Sequence, residues 1–193
     1  DSDKTATAAP VVAPPAPEPE PVIASIPTDG LVGRWDFDEG SGTTAKDASG
    51  KTHNANFVGA PQWVEGRVGK ALAFDGVDDC LVLPDLPKST TRSSHTISAW
   101  VRRNKESKGG CIVSFDHNRI SWAENTHFNY LNVVDDRGTK RDIGIWFSRP
   151  FPPERWHHVA VVVETDKGRQ FLYVNGARIK SASFTPGAPG WMW

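Results

Sequence analysis

Residues 154–176 read ERWHHVAVVVETDKGRQFLYVNG. Val159, Val161 and Val163 alternate with Ala160 and Val162, the period of two that sends successive side chains to opposite faces of a strand. Both faces are apolar here, so this strand is expected to lie centrally in a covered sheet. Thr165-Asp166-Lys167-Gly168 follows, with Asp to open a turn and Gly where φ must be positive. His157 to Glu164 and Phe171 to Asn175 are therefore predicted to form an antiparallel hairpin, and Asn175-Gly176 marks a second reversal.

Working outward, the same short-strand text recurs. In Leu31 to Asp38, Leu31, Trp35 and Phe37 alternate with Arg34, Asp36 and Asp38, which predicts a first strand with one buried and one polar face. Further strands are predicted over Ala71 to Phe74, Cys80 to Leu83, Thr96 to Arg102, Cys111 to Phe115, Phe128 to Val134 and Ile143 to Phe147. Asp135-Asp136-Arg137-Gly138 supplies another hairpin turn. No stretch reads as a long amphipathic helix, and eight Trp and nine Phe beside one Met favour pleated surfaces over helix faces. The predicted class is all-β, an antiparallel two-sheet sandwich.

Residues 1–28 differ in kind. They hold seven of the fifteen prolines, including the run APPAPEPEPV, and too little apolar surface to offset the entropy of ordering. An extended arm that reaches on the order of 80 Å at about 3.1 Å per residue is expected, followed by one domain over residues 29–193. Within the arm, Val22-Ile23-Ala24-Ser25-Ile26 is β-prone and suits addition to a sheet edge. The formal charge of -1 is spread over interspersed acids and bases, which argues against nucleic acid or an anionic membrane as partner. With no run of 18 apolar residues, no membrane span and no leader sequence are read.

Four phrases together resemble the laminin-G-like jelly roll of the concanavalin A-like lectins and glucanases. They are LVGRWDFDEGSGTTAKDASG (31–50), GRVGKALAFDGVDDCLVLP (66–84), HTISAWVRR (95–103) and the stretch quoted first. The resemblance runs from Leu31 to about Ser183. It implies a non-catalytic carbohydrate-binding or adhesion module of a bacterial protein that is secreted, periplasmic or on the cell surface. It also implies that Trp100 and Trp156 fill space between the sheets. Relatives usually continue past the Y-V-N-G text through further strands, one of them beside the first strand, whereas Ser183 is followed by FTPGAPGWMW. A vacant sheet edge is thus expected, and with it a second reading: an interaction subunit that assembles by strand addition, with an envelope protein or another copy as partner. An accessory fragment of a glycoside hydrolase is the third.

Candidate sites follow from side-chain chemistry. No E-x-D-x-E strand, as a retaining glucanase of this fold would use, and no G-x-S-x-G elbow occurs, so no catalytic residue is assigned. Glu164 and Asp166 form the nearest acidic pair and sit in a turn. His157 and His158 are adjacent on a strand and cannot join on one metal ion. Asp75, Asp78 and Asp79 converge in the loop FDGVDD and suit calcium, or else cap that turn by accepting backbone amides; no other cofactor is expected. A glycan strip is read in residues 116–136 from Trp122 and Tyr130 beside Asn118, Arg119, Asn125, His127, Asn129 and Asn132, since sugars need aromatic platforms with planar hydrogen-bonding groups. Cys80 and Cys111 are either a disulfide closing a loop of about 30 residues or two small buried side chains.

Overall fold

The computed structural model of the 193-residue chain describes residues 28–83, 94–105, 109–115, 118–122, 128–132, 145–147 and 152–183. Contacts divide the chain into two units, residues 1–30 and 31–193, and all the strands named below lie in the second. In chain order these are β1 (Thr44–Ala45), β2 (Ala55–Val58), β3 (Gln62–Glu65), β4 (Lys70–Ala73), β5 (Cys80–Val82), β6 (His95–Arg102), β7 (Gly110–Phe115), β8 (Asn118–Trp122), β9 (Phe128–Asn132), β10 (Ile145–Phe147), β11 (Trp156–Glu164), β12 (Arg169–Val174) and β13 (Ala177–Ser183). They build two four-stranded sheets, β13-β12-β11-β6 and β10-β9-β8-β7, a three-stranded sheet β1-β2-β5 and the hairpin β3-β4. Every pairing is antiparallel, which makes the protein an all-β sandwich.

Strand β11 holds the central place its sequence predicts, with β12 on one side and β6 on the other. Val159, Val161 and Val163 are buried and gather with Val101 of β6 and Leu172 of β12. Ile97, Ala99, Val174 and Ala182 flank this cluster, and Ile112 of β7 packs onto it from the other four-stranded sheet. The valine face is therefore where the two layers meet. Each fully buried Val or Leu contributes about 1.5–3 kcal/mol relative to exposure.

Both predicted reversals form. A 3-10 turn over Thr165–Lys167 joins β11 to β12, and Gly168 closes it at φ 59°, a conformation that glycine adopts without penalty. Asn175 and Gly176, at φ 50° and 77°, make the two-residue link from β12 to β13. The Asn175 amide donates to the His158 carbonyl at 2.8 Å, and its Oδ1 accepts from the His158 amide at 2.9 Å. The asparagine of the Y-V-N-G text thus fastens the turn to the central strand.

Three expectations are corrected. Leu31 to Asp38 forms no strand, because Phe37 at φ 62° interrupts the extended run and side-chain bonds replace a ladder. Asp47 Oδ1 accepts from the Arg34 amide at 3.0 Å, the Arg34 carbonyl accepts from the Ala48 amide at 2.7 Å, and Trp35 Nε1 donates to the His53 carbonyl at 2.8 Å. Trp100 does not fill the space between sheets. Ile97, Ala99 and Val101 take the valine face, so strand alternation turns Trp100 to the opposite one, where it is 45% exposed. Finally, Cys80 on β5 and Cys111 on β7 are both exposed and no disulfide joins them. The alternative of two buried residues fails with the disulfide. Positions 22–26 and the turn at 135–138 lie outside the described residues.

Candidate functional site

The sequence directs attention first to the FDGVDD loop between β4 and β5, and the structure does bring its three aspartates together. One carboxylate oxygen from each of Asp75, Asp78 and Asp79 lies within 4.8 Å of the others. With Gly59, Ala60, Gln62 and Phe74 they line an open cleft of about 480 Å³. Two of the carboxylates are already engaged: Asp79 Oδ1 accepts from the Ala60 amide at 2.7 Å, Asp79 Oδ2 from the Asp75 amide at 3.0 Å, and Asp75 Oδ1 from the Val77 amide at 2.8 Å. The bond from Val77 is the main cause that lowers the Asp75 pKa. Oxygens of this kind suit a hard cation, yet three of the ligand positions already cap the turn.

The strip read in residues 116–136 is divided by register. Asn118 pairs with Asn132, Ile120 with Tyr130, and Trp122 with Phe128, so the positions of Asn118, Trp122, Tyr130 and Asn132 fall on one face of β8 and β9. Arg119 and Asn129 occupy positions of the other parity. Asn125 and His127 lie outside the described residues.

A different surface has the chemistry that the sequence reading sought there. On the face of the β13-β12-β11-β6 sheet turned away from the valine cluster, Trp100 stands opposite His158, with ring centroids 5.3 Å apart. The Arg67 guanidinium lies 5.6 Å from the centroid of the Trp100 ring. Partial burial lowers the His158 pKa, so the imidazole is neutral near pH 7. Trp156, opposite Arg102, is covered by that guanidinium at 5.2 Å. On β12 the alternation places Tyr173 and Phe171 on this same face, and Arg169 and Arg178 flank Phe171 at 5.8 and 5.7 Å. Each of three aromatic rings is thus met by arginine, an arrangement in which the quadrupole of the ring attracts the cation. Across four strands this strip spans about 14 Å at the usual strand spacing.

At one end of that face, the acidic pair at the β11–β12 turn is engaged electrostatically. Glu164 bonds to Lys167 and Arg169, which hold its pKa down, and Asp166 bonds to Ser94 with the same result. A glycosidase acid needs a carboxyl raised toward neutrality, the opposite displacement.

A laminin-G family model matches residues 75–192, more than half of the chain. The chain belongs to the concanavalin A-like lectin/glucanases superfamily. The match begins at the aspartate loop and takes in β5 to β13, while the W-D-F-D-E-G-S-G text lies before it. Among solved structures, the superfamily fold is shared with domain 4 of AbnA, a GH43 extracellular arabinanase from Geobacillus stearothermophilus in complex with arabinotriose. That likeness has 22% identity and a TM-score of 0.54, over 83% of this chain and 80% of that one. An S-layer domain-containing protein from Clostridium thermocellum is similar at 24% identity and TM-score 0.50, over 81% and 75%. Trypanosoma rangeli sialidase in complex with sialic acid is similar at 18% identity and TM-score 0.55, over 86% of this chain but 30% of the sialidase. No curated protein sequence matches significantly.

The Trp100 face was missed as a site because tryptophan in a strand was read as core. The signal was nevertheless present in HTISAWVRR, where Trp100 shares its parity with Thr96, Ser98 and Arg102 rather than with Ile97, Ala99 and Val101.

Proposed function

We propose that this protein is a non-catalytic carbohydrate-binding module, with the Trp100 face of the β13-β12-β11-β6 sheet as its platform. The observation that carries this reading is Trp100 itself: a large ring, 45% exposed, on a strand whose other face is anchored in the valine core. A rigidly held aromatic surface beside hydrogen-bonding groups is what a sugar ring requires. Domain 4 of AbnA, solved with arabinotriose, supports the idea that a chain of this fold presents a surface to a short oligosaccharide. Lys167 and Arg169 hold the Glu164 pKa down and Ser94 that of Asp166, which does not suit either for the part of a glycosidase acid. The aspartate loop enters as a turn cap, with calcium on its remaining oxygens as the alternative. An extracellular or cell-surface setting agrees with the extracellular arabinanase and the S-layer protein among the similar folds, and residues 1–28 would then serve as a tether.

The test is Trp100→Ala on a glycan array and in affinity electrophoresis. Loss of about tenfold in affinity, the equivalent of about 1.4 kcal/mol, is expected with the folded state retained. Full retention by Trp100→Ala, together with loss on changing Trp122, Asn129 and Tyr130, would move the site to the β8–β9 hairpin.

A further inference from the structure

The charge on the Trp100 face is not balanced. Arg102, Arg169 and Arg178 reach its aromatic rings, and of these only Arg169, among the described residues, meets an acid there, Glu164, which it shares with Lys167. Arg102 and Arg178 are exposed, and among the described residues neither makes a salt bridge to a carboxylate. They stand at opposite edges of the sheet, Arg102 beside Trp100 on β6 and Arg178 on β13, with Trp156 and Tyr173 on the strands between them. The whole chain has a net charge of -1, so this cation excess is local rather than a consequence of a basic composition.

From this placement we propose that the face takes an acidic oligosaccharide, one whose sugar units carry carboxylates. The inference rests on the carbohydrate-binding reading and adds the class of sugar. The guanidinium is a planar fork that meets a carboxylate through two parallel hydrogen bonds, a geometry that lysine does not offer. Held against an aromatic ring, Arg102 on Trp156 and Arg178 on Phe171, each guanidinium keeps its orientation and sheds part of its hydration before a ligand arrives. A uronate chain lying across the strands stacks a ring on Trp100, and its carboxylates, spaced along the chain, reach Arg102 at one edge and Arg178 at the other. A neutral sugar uses the rings and leaves both arginines unanswered.

The experiment measures binding of the full chain, by calorimetry at low and high salt, to a panel of uronate oligosaccharides. Galacturonate, glucuronate and mannuronate–guluronate series are each paired with a twin whose carboxyls have been reduced to alcohols. At least one acidic oligosaccharide is expected to bind tenfold or more tightly than its reduced twin, with an affinity that falls as salt rises. Arg102→Gln and Arg178→Gln should each erase most of that preference and keep the folded state, because both side chains are exposed. Equal affinity for acidic and reduced twins, or binding of neutral glycans alone, overturns the inference while the carbohydrate-binding reading stands. Equally tight binding of dextran sulfate overturns it as well, by showing simple anion exchange. Failure of every glycan, acidic or neutral, removes both the inference and the reading beneath it.

Discussion

The β13-β12-β11-β6 sheet and the residues before it, 31–83, belong to one unit yet are held by different forces. In the sheet, four long strands share a register and one face closes over Val159, Val161, Val163 and Leu172. Before it, the strands are two to four residues long and the chain is tied by carboxylates that accept backbone amides. Asp47 accepts from Arg34, Ser49 and His53, Asp38 from Lys70, Glu39 from Lys46, and Asp79 from Ala60 and Asp75. Where apolar alternation is too short to build a core, buried or half-buried amides still need partners, and acidic side chains supply them. The W-D-F-D-E-G-S-G and D-x-S-G phrases are then a set of knots rather than a strand and its turn.

The largest expected effect breaks the sheet. Leu172 is fully buried, and Leu172→Ala should cost about 2–5 kcal/mol in urea unfolding, from lost burial and the cavity left behind. A cost below about 1 kcal/mol would mean that the valine face is not the principal core.

Asp47→Ala should loosen the knotted region by roughly 2 kcal/mol, the scale of charge-assisted bonds partly open to water. Its pH dependence sharpens the comparison. Burial pushes the Asp47 carboxyl up, but the bonds from Ser49, Arg34 and His53 outweigh it and hold the pKa well below the usual carboxylate range. Because the folded value lies below the unfolded one, this contribution is complete above the unfolded pKa of about 3.9 and is lost as pH falls through the acid range. Unfolding followed from pH 6 to pH 2 should therefore slope more steeply in the wild type than in Asp47→Ala.

Gly69 tests the same lobe through the backbone. It sits at φ 59°, and a Cβ there would strike the Asp38 carboxylate that accepts the Lys70 amide. Gly69→Ala should cost about 1–2 kcal/mol from the left-handed conformation alone, read as a lower melting temperature. Smaller still is the effect of chelation. If the aspartate loop is a turn cap, a chelator leaves the melting temperature unchanged, whereas a rise with added Ca²⁺ would assign the remaining oxygens to an ion. Trp100→Ala should cost no more than about 1 kcal/mol, since nearly half of the ring faces solvent while the rest meets His158 and Arg67.

Much of the fold was legible because its signals are local. Period two in Val159 to Val163, the Thr165 to Gly168 turn and the Asn175-Gly176 reversal each act within a few residues. The strands Cys80–Val82, His95–Arg102 and Trp156–Glu164 fall within a residue or two of their predicted bounds. The strands Ala55–Val58, Gln62–Glu65 and Asn118–Trp122 are not legible in the sequence because each is only four or five residues long. Leu31 to Asp38 misled for a physical reason: its alternation is real, but alternation needs a neighbouring strand to become a ladder, and Asp47 and His53 took its polar groups instead.

By itself, then, the sequence determined the all-β class, the central hairpin and its turns, and the aspartate cluster of the FDGVDD loop, all matters of residues close together in the chain. Only the tertiary structure decided which face of β6 meets the core. That choice turns on Ile112 from another sheet, and it leaves Trp100 outside, within reach of Arg67 and His158, residues 33 and 58 positions away in the sequence. A strand pattern shows that two faces exist, and packing alone says which of them stays open to a ligand.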